Sequence, residues 1–220
     1  MQPLIEETRQ NPANPGAMRA QLRRERLAAR LAMAPADHAS ASARLNSHLT
    51  EMLNQLPPAR IGFCAAIRGE FDATPLIRQL LACGWQACQP VVVQRHAAMQ
   101  FRAWWPEAPM ATDAYGIPTP QTGIVAPPDV LLVPVVGFDQ QGYRLGYGGG
   151  YFDRTLAELA SSGRLPLTIG LGFELARVDS VWPQAHDVPL ARVVTEKGLV
   201  VAPGCGEPAK PGAGENRPSL

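Results

Sequence analysis

This 220-residue sequence predicts an α/β fold: a mostly parallel sheet flanked by helices on both faces, in a single domain. Two observations predict it. Short apolar runs, each followed by a polar loop and then a helical segment, recur along the chain, and such strand–loop–helix repeats build parallel sheets. The length suits one domain, and a chain of this size buries enough surface to need no disulfide or metal staple.

The elements follow in order. Residues 1–16, with Asn-Pro twice, read as a flexible tail. Ala17 to Met33 is rich in Ala, Leu and Arg and predicts a helix. On it Arg19, Arg23, Arg26 and Arg30 form one stripe, most simply a solvated face, leaving Met18, Leu22, Leu27 and Leu31 to meet the protein body. A second helix covers Asp37 to Leu56, before Pro57-Pro58. Arg60 to Ile67 reads as a strand, followed by a loop with Glu70 and Asp72. Thr74 and Pro75 then open a helix as N-cap and first position, and Cys83-Gly84 closes it. Gln89–Val93 and Gln100–Trp104 are short strands, and Tyr115 to Pro128 is an ordered loop. Asp129 to Val136 is an apolar strand feeding Gly137 to Gly150 and a helix from Tyr151 to Leu159. Leu167–Phe173, Val193–Thr195 and Leu199–Val201 complete the sheet, so the domain spans 17–202 and a Pro/Gly-rich tail, read as disordered, spans 203–220. Three loops, after Ile67, Val136 and Phe173, should then converge at the carboxyl edge, where such sheets bind ligands.

Composition excludes several classes. A net charge of +1 gives no electrostatic footprint for nucleic acid or an anionic membrane. Cys64, Cys83, Cys88 and Cys205 show no zinc spacing and read as structural. The N-terminus lacks the apolar core of a secretory signal, and no segment is long enough to span a membrane, so a cytoplasmic protein is expected. No stripe is left over for a partner, which predicts a monomer.

The chemistry concentrates between Asp129 and Arg154. A strand runs into Gly142, Gly146, Gly148, Gly149 and Gly150 and then into a helix, an arrangement that lets backbone amides and a helix N-terminus face an anion. Arg144 offers a charge-assisted fork to phosphate oxygens. Asp153, in the first helical turn, either serves the helix dipole or shares a Mg²⁺ with a bound polyphosphate. The loop is neither a Walker A motif, having no Lys, nor a dinucleotide fingerprint, since Tyr151 stands where the last glycine belongs. Trp104 and Trp105 read first as a hairpin core, and His38, His48 and His96 as surface or loop residues.

The string Phe138-Asp139-x-x-Gly142-x-Arg144-Leu-Gly-Tyr-Gly-Gly-Gly150-Tyr151-Phe-Asp153-Arg154 resembles the signature of the 5-formyltetrahydrofolate cyclo-ligases. Arg19-Ala-Gln-Leu22-Arg23 resembles that family's N-terminal basic helix, Glu70-Phe-Asp72 its acidic loop, and Ile169–Phe173, His186-Asp187 and Val194-Thr195-Glu196 its C-terminal block. The resemblance implies an ATP- and Mg²⁺-dependent enzyme that cyclises 5-formyltetrahydrofolate. It implies ATP contacts from Arg19, Arg23, Arg144, Leu145, Gly146, Tyr147, Gly148, Gly149, Gly150, Tyr151 and Phe152. Substrate contacts would come from Ala65, Glu70, Tyr147, Gly148, Gly149, Gly150 and Tyr151, metal ligation from Asp153 and Asp187, and catalysis from Arg144, Tyr151 and Asp153. Arg19 stands where the family often has Lys, Phe152 where Tyr is frequent, and Ala73 where Thr often follows the second acid. The rival readings are a folate- or nucleotide-binding relative without turnover and a different ATP-using enzyme on the same α/β scaffold.

Overall fold

Chain order in the computed structural model, which describes residues 14–113 and 115–201, begins with two helices, α1 (Pro15–Leu31) and α2 (Pro35–Leu53). There follow β1 (Arg60–Gly62), α3 (Thr74–Ala82), β2 (Gln86–Val91) and β3 (Gln100–Trp104). Next come β4 (Met110–Thr112), β5 (Pro118–Pro120), β6 (Ile124–Val125), β7 (Val130–Pro134), β8 (Gly137–Phe138) and β9 (Arg144–Leu145). The chain continues through α4 (Tyr151–Ser161), β10 (Leu167–Leu171), a 3₁₀ turn (Glu174–Ala176), β11 (Arg192–Thr195) and β12 (Gly198–Val201). The main sheet has the order β12-β11-β10-β7-β1-β2-β3-β6. Its five central strands, β11 to β2, are parallel, and β12, β3 and β6 join antiparallel at the flanks.

Alternation along the strands decides which helix covers which face. In β7, Val130 and Leu132 join the core under α2 and α3, built on Leu45, Leu49, Leu53, Leu76 and Ile77. Leu131 and Val133 point the other way, to a core closed by Leu156 and Leu159 of α4. Every β7 residue but the last is buried, as expected of a strand covered on both faces. Trp104 packs edge-to-face on Phe63, at 4.9 Å between centroids, while Trp105 is exposed.

Several boundaries differ from the sequence reading. α1 begins at Pro15, because Asn14 accepts a hydrogen bond from the Ala17 amide and Pro15 is preset for a first turn. The expected tails lie mostly outside the described residues. β1 ends at Gly62: Phe63 is buried, but the following segment leaves the ladder to form the loop before α3. Thr74 is the first residue of α3, and its amide is held by Asp72, at 2.9 Å to Oδ1. The stretch from Tyr115 to Pro128 contains β5 and β6, and the stretch after β7 folds into the β8–β9 hairpin.

The largest departure concerns α1. Met18 and Leu31 are exposed, and the arginine stripe turns inward instead. The reason is the surface on which α1 docks. Loop carbonyls at the carboxyl edge need donors, and long guanidinium groups satisfy them where an apolar face would not. Only Leu22 is buried from the expected apolar set, against Leu145 and Val181.

Candidate active site at the carboxyl edge of the sheet

The order of the central strands reverses between β1 and β7. From β1 the chain builds outward through β2 and β3, then returns to β7 on the other side. Loops leaving two such strands diverge in opposite directions and open a crevice above the sheet.

The loop after β1 turns through two consecutive left-handed residues, Arg68 (φ +50°) and Gly69 (φ +72°). This brings Glu70 into the crevice, where it is 8 % exposed. Its Oε2 accepts from the Ile67 amide at 3.0 Å, and its Oε1 accepts from the Tyr147 hydroxyl at 2.6 Å. Burial raises the Glu70 pKa above the ordinary carboxylate range, against the opposing pull of Tyr147, Ile67, Arg30 and Arg68.

The loop after β7 is shaped by Asp139. This buried carboxylate accepts from the amides of Gln141 and Tyr143, both at 3.1 Å, and of Val181 at 3.3 Å. The β8–β9 hairpin is therefore locked by the acid of a turn-like Asp-Gln-Gln-Gly. Beyond it, Gly148 has φ +97°, a region side chains avoid, and a β-carbon there would lie 3.5 Å from the Arg23 guanidinium. Gly150, at φ +65°, is the residue from which α4 starts.

α1 lies along these loops. Arg23 donates to the Gly146 carbonyl at 2.6 Å, and Arg26 to the Leu175 carbonyl at 3.0 Å. Arg19 pairs with Asp187, at 3.2 Å from Nη2 to Oδ1, and also donates to the Trp182 carbonyl at 3.1 Å. Arg30 reaches furthest, to the carbonyls of Arg68 and Val135 and to the Tyr147 hydroxyl.

A second acid–arginine cluster sits at the start of α4. Arg144 is buried and donates to Asp153 Oδ1 at 2.9 Å and to the Val188 carbonyl. Asp153 Oδ1 also accepts from the Val188 amide at 3.2 Å. Burial lowers the Arg144 pKa, while the charges of Asp153 and Asp187 act to restore it. Burial, with repulsion from Arg19, lowers the Arg23 pKa as well.

The geometry brings most of the expected residues together. Arg19, Arg23, Glu70, Arg144, Tyr147, Asp153 and Asp187, with the glycine-rich turn, line one edge of the sheet. Leu145 is the exception, since its side chain is fully buried and only its backbone borders the turn. Phe152 lies half-buried against the α4 core, its ring 5.9 Å from the Arg144 guanidinium. Tyr151 shares a 2.6 Å hydroxyl contact with Tyr115, and its ring stacks under Arg154 at 4.8 Å. Ala65 is half-buried on the loop after β1. His38 is more than a surface residue: its Nε2 lies 3.1 Å from the Gly69 carbonyl, bracing the Glu70 loop. By sequence Arg30 is simply one member of the helix stripe.

Asp153 and Asp187 are hard oxygen donors of the kind Mg²⁺ takes, and no group of three or more metal-binding side chains occurs among the described residues. Asp153, about one-fifth exposed, suits an ion that completes its shell with water and phosphate. The buried Asp187 has its oxygens on Arg19 and the Gln184 amide, and would be free for an ion once Arg19 turns to a phosphate. No helix among the described residues is long and apolar enough to cross a membrane.

The chain is similar to known proteins over most of its length. The chain is 29 % identical over 153 residues to a 5-formyltetrahydrofolate cyclo-ligase of Haemophilus influenzae, covering 66 % of this chain and 80 % of that one. It is 32 % identical over 133 residues to the Escherichia coli K12 protein of the same name, covering 58 % and 72 %. The NMR structure of Aquifex aeolicus 5,10-methenyltetrahydrofolate synthetase superposes with a TM-score of 0.68 at 26 % identity, over 90 % of this chain and all of that one. A Mycoplasma pneumoniae 5,10-methenyltetrahydrofolate synthetase shares the fold, with a TM-score of 0.67 at 24 % identity. Residues 15–196, from the first turn of α1 to the end of the parallel sheet, match the pattern of one family throughout, and the chain belongs to the 5-formyltetrahydrofolate cyclo-ligase family.

Proposed function

We propose that this protein cyclises 5-formyltetrahydrofolate to 5,10-methenyltetrahydrofolate at the carboxyl-edge site, converting ATP to ADP and phosphate. The observation that carries this reading is the junction of two differently built walls. One is a glycine-rich turn backed by Arg23 and Arg144; the other holds the buried acid Glu70, met by Tyr147 from the turn. An anionic triphosphate suits the first wall, and a hydrogen-bonding heterocycle suits the second.

The chemistry follows from placing the two substrates across that junction. The formyl oxygen attacks the γ-phosphorus and ADP leaves, giving an O-phosphorylated formyl group. N10 adds to the activated carbon and loses its proton, and phosphate departs to leave the methenyl bridge. No protein nucleophile is required, so the residues act by positioning and charge neutralisation. Arg19 and Arg23, with the amides from Gly146 to Phe152, hold the phosphates. Arg144 keeps Asp153 aimed at the start of α4. Glu70, Tyr147 and Tyr151 orient the folate, with Ala65 at the loop base. Asp153 and Asp187 would hold a Mg²⁺ ion, which neutralises phosphate charge when bound. We further place this activity in the cytoplasm and assign the protein as a monomer.

The test is the appearance of the methenyl chromophore when purified protein meets folinate and MgATP. Growth of that absorbance with ADP release in a 1:1 ratio is expected. ATP and folinate binding without product would overturn the catalytic reading in favour of a binding protein.

A further inference from the structure

We propose that Arg30 is a positioning residue that couples the two substrate sites, because one guanidinium fixes both Tyr147 of the glycine-rich turn and Glu70 of the opposite loop. The proposal rests on the reading above for the identity of the two ligands. The connectivity itself stands on geometry alone.

Arg30 is 6 % exposed and lies on the last turn of α1. Its Nε donates to the Arg68 carbonyl at 3.0 Å, and its Nη1 to the Val135 carbonyl at 3.1 Å. Its Nη2 donates to the Tyr147 hydroxyl at 2.6 Å and lies 3.6 Å from Glu70 Oε1. The Tyr147 hydroxyl passes the connection on, donating to Glu70 Oε1 at 2.6 Å. A single planar cation therefore ties α1, the end of β7, the loop after β1 and the glycine-rich turn. Arg68 completes the arrangement from the far side, its guanidinium 5.3 Å from the Tyr147 ring centroid.

The spread of these bonds explains why the residue is arginine. The Arg68 and Val135 carbonyls and the Tyr147 hydroxyl are reached by three different nitrogens, which a guanidinium fork supplies and a lysine ammonium on a flexible stem does not. Glu70 and Tyr147 cannot move independently while the bridge is intact. A nucleotide that orders the glycine-rich turn thereby fixes Tyr147, whose hydroxyl, aimed by Arg30, holds the acid that meets the folate. Linkage then requires the converse: folate binding must tighten nucleotide binding by the same factor.

Charge gives an independent readout. The groups facing Glu70 are Arg30 from α1, Arg68 and the Cys64 thiol from its own loop segment, and Tyr147 from the glycine-rich turn. Removing the Arg30 charge removes one of the influences that hold the Glu70 pKa down. The limb of the kcat/KM profile that reports Glu70 should therefore move to higher pH.

The experiment uses full-length protein in four forms: wild type, Arg30→Gln, Arg30→Lys and Arg26→Gln. The dissociation constant of a non-hydrolysable ATP analogue with Mg²⁺ is measured with and without saturating folinate, beside the pH profile for folinate turnover. In the wild type, folinate should tighten the analogue about tenfold, within the usual range of coupling between sites. Arg30→Gln should bring that factor to within about twofold of unity and displace the acidic limb upward. Arg30→Lys should lose the coupling yet keep the limb near its wild-type position, since it keeps charge but not the fork. Arg26→Gln, which removes a comparable bond between α1 and a loop, should change neither. Wild-type coupling in Arg30→Gln or in Arg30→Lys overturns the proposal, as does an equal loss in Arg26→Gln, which would mean that helix docking alone matters. If Arg30→Gln does not fold, Arg30→Lys and Arg26→Gln carry the same decision. Absence of methenyl product from the wild type would instead strike at the proposed function.

Discussion

The two acid–arginine clusters of the crevice are built from the same residue types and differ in what surrounds them. Around Glu70 the acid is buried, and Arg30 is engaged by two backbone carbonyls and a tyrosine hydroxyl. Around Asp153 it is the arginine that is buried, while the carboxylate is about one-fifth exposed at the start of α4. Burying a charge is costly and its partners are hard to replace, so the first cluster behaves as fixed framework. The second presents a partly solvated carboxylate beside the glycine-rich turn, the place proposed above for phosphates and a cation. Similar pairs thus sit in opposite settings, a buried acid at one wall and a partly exposed one at the other.

The comparison breaks most visibly at Asp153. Asp153→Asn keeps an oxygen for Arg144 and the Val188 amide, so the fold should persist while the exchangeable charge is lost. Turnover at saturating MgATP should fall by roughly two orders of magnitude, the scale of losing one well-placed electrostatic contact, with a melting temperature close to wild type. Turnover within a fewfold of wild type would mean that this carboxylate has no part in the chemistry.

Glu70→Gln probes the fixed wall and should raise KM for folinate about tenfold, the cost of one charged hydrogen bond. A pH signature accompanies it. The folded state raises the Glu70 pKa, so it holds the proton more tightly than the unfolded chain does. Stability from this group is therefore present at low pH and declines as pH rises from the ordinary glutamate range through the raised folded value. Thermal melts across that window should show the decline in wild type and lose this component in Glu70→Gln. Equal slopes in both proteins would contradict the burial argument.

The smallest effect belongs to the outer support of the same wall. His38→Ala removes one contact to the Gly69 carbonyl and an edge contact to Phe173. KM for folinate should rise about two- to threefold with kcat unchanged, the scale of one modest hydrogen bond. Steady-state kinetics in both substrates would show it, and a kcat loss as large as that of Asp153→Asn would erase the distinction between framework and exchangeable charge.

Much of this was legible beforehand, for identifiable reasons. The apolar run from Val130 to Val133 and the glycines from Gly146 to Gly150 encode a buried parallel strand and a turn by local chemistry alone. The inward stripe of α1 was not legible, because a spacing of i, i+4, i+7 and i+11 is the same whether the surface opposite is water or a row of loop carbonyls. Apolarity overextends β1 because it reports burial rather than pairing: the Phe63 amide still bonds the Cys88 carbonyl of β2, and the chain then leaves the sheet. The acid of Asp139 and the cap from Asp72 depend on backbone amides that converge only once the turns have formed. Arg30 was hidden by equivalence: nothing local separates it from three neighbouring arginines.

The docking of α1 has a further consequence for how the enzyme comes into being. This helix precedes every other described element along the chain, yet its partners include Gly146, Leu175 and Asp187, at sequence separations of 123, 149 and 168 residues. Contacts so distant along the chain form late. The sheet can assemble around its central strands while the first helix waits, so competence for nucleotide should be the last property acquired during synthesis. A chain that stalls before residue 187 would carry most of the fold and an unfinished site.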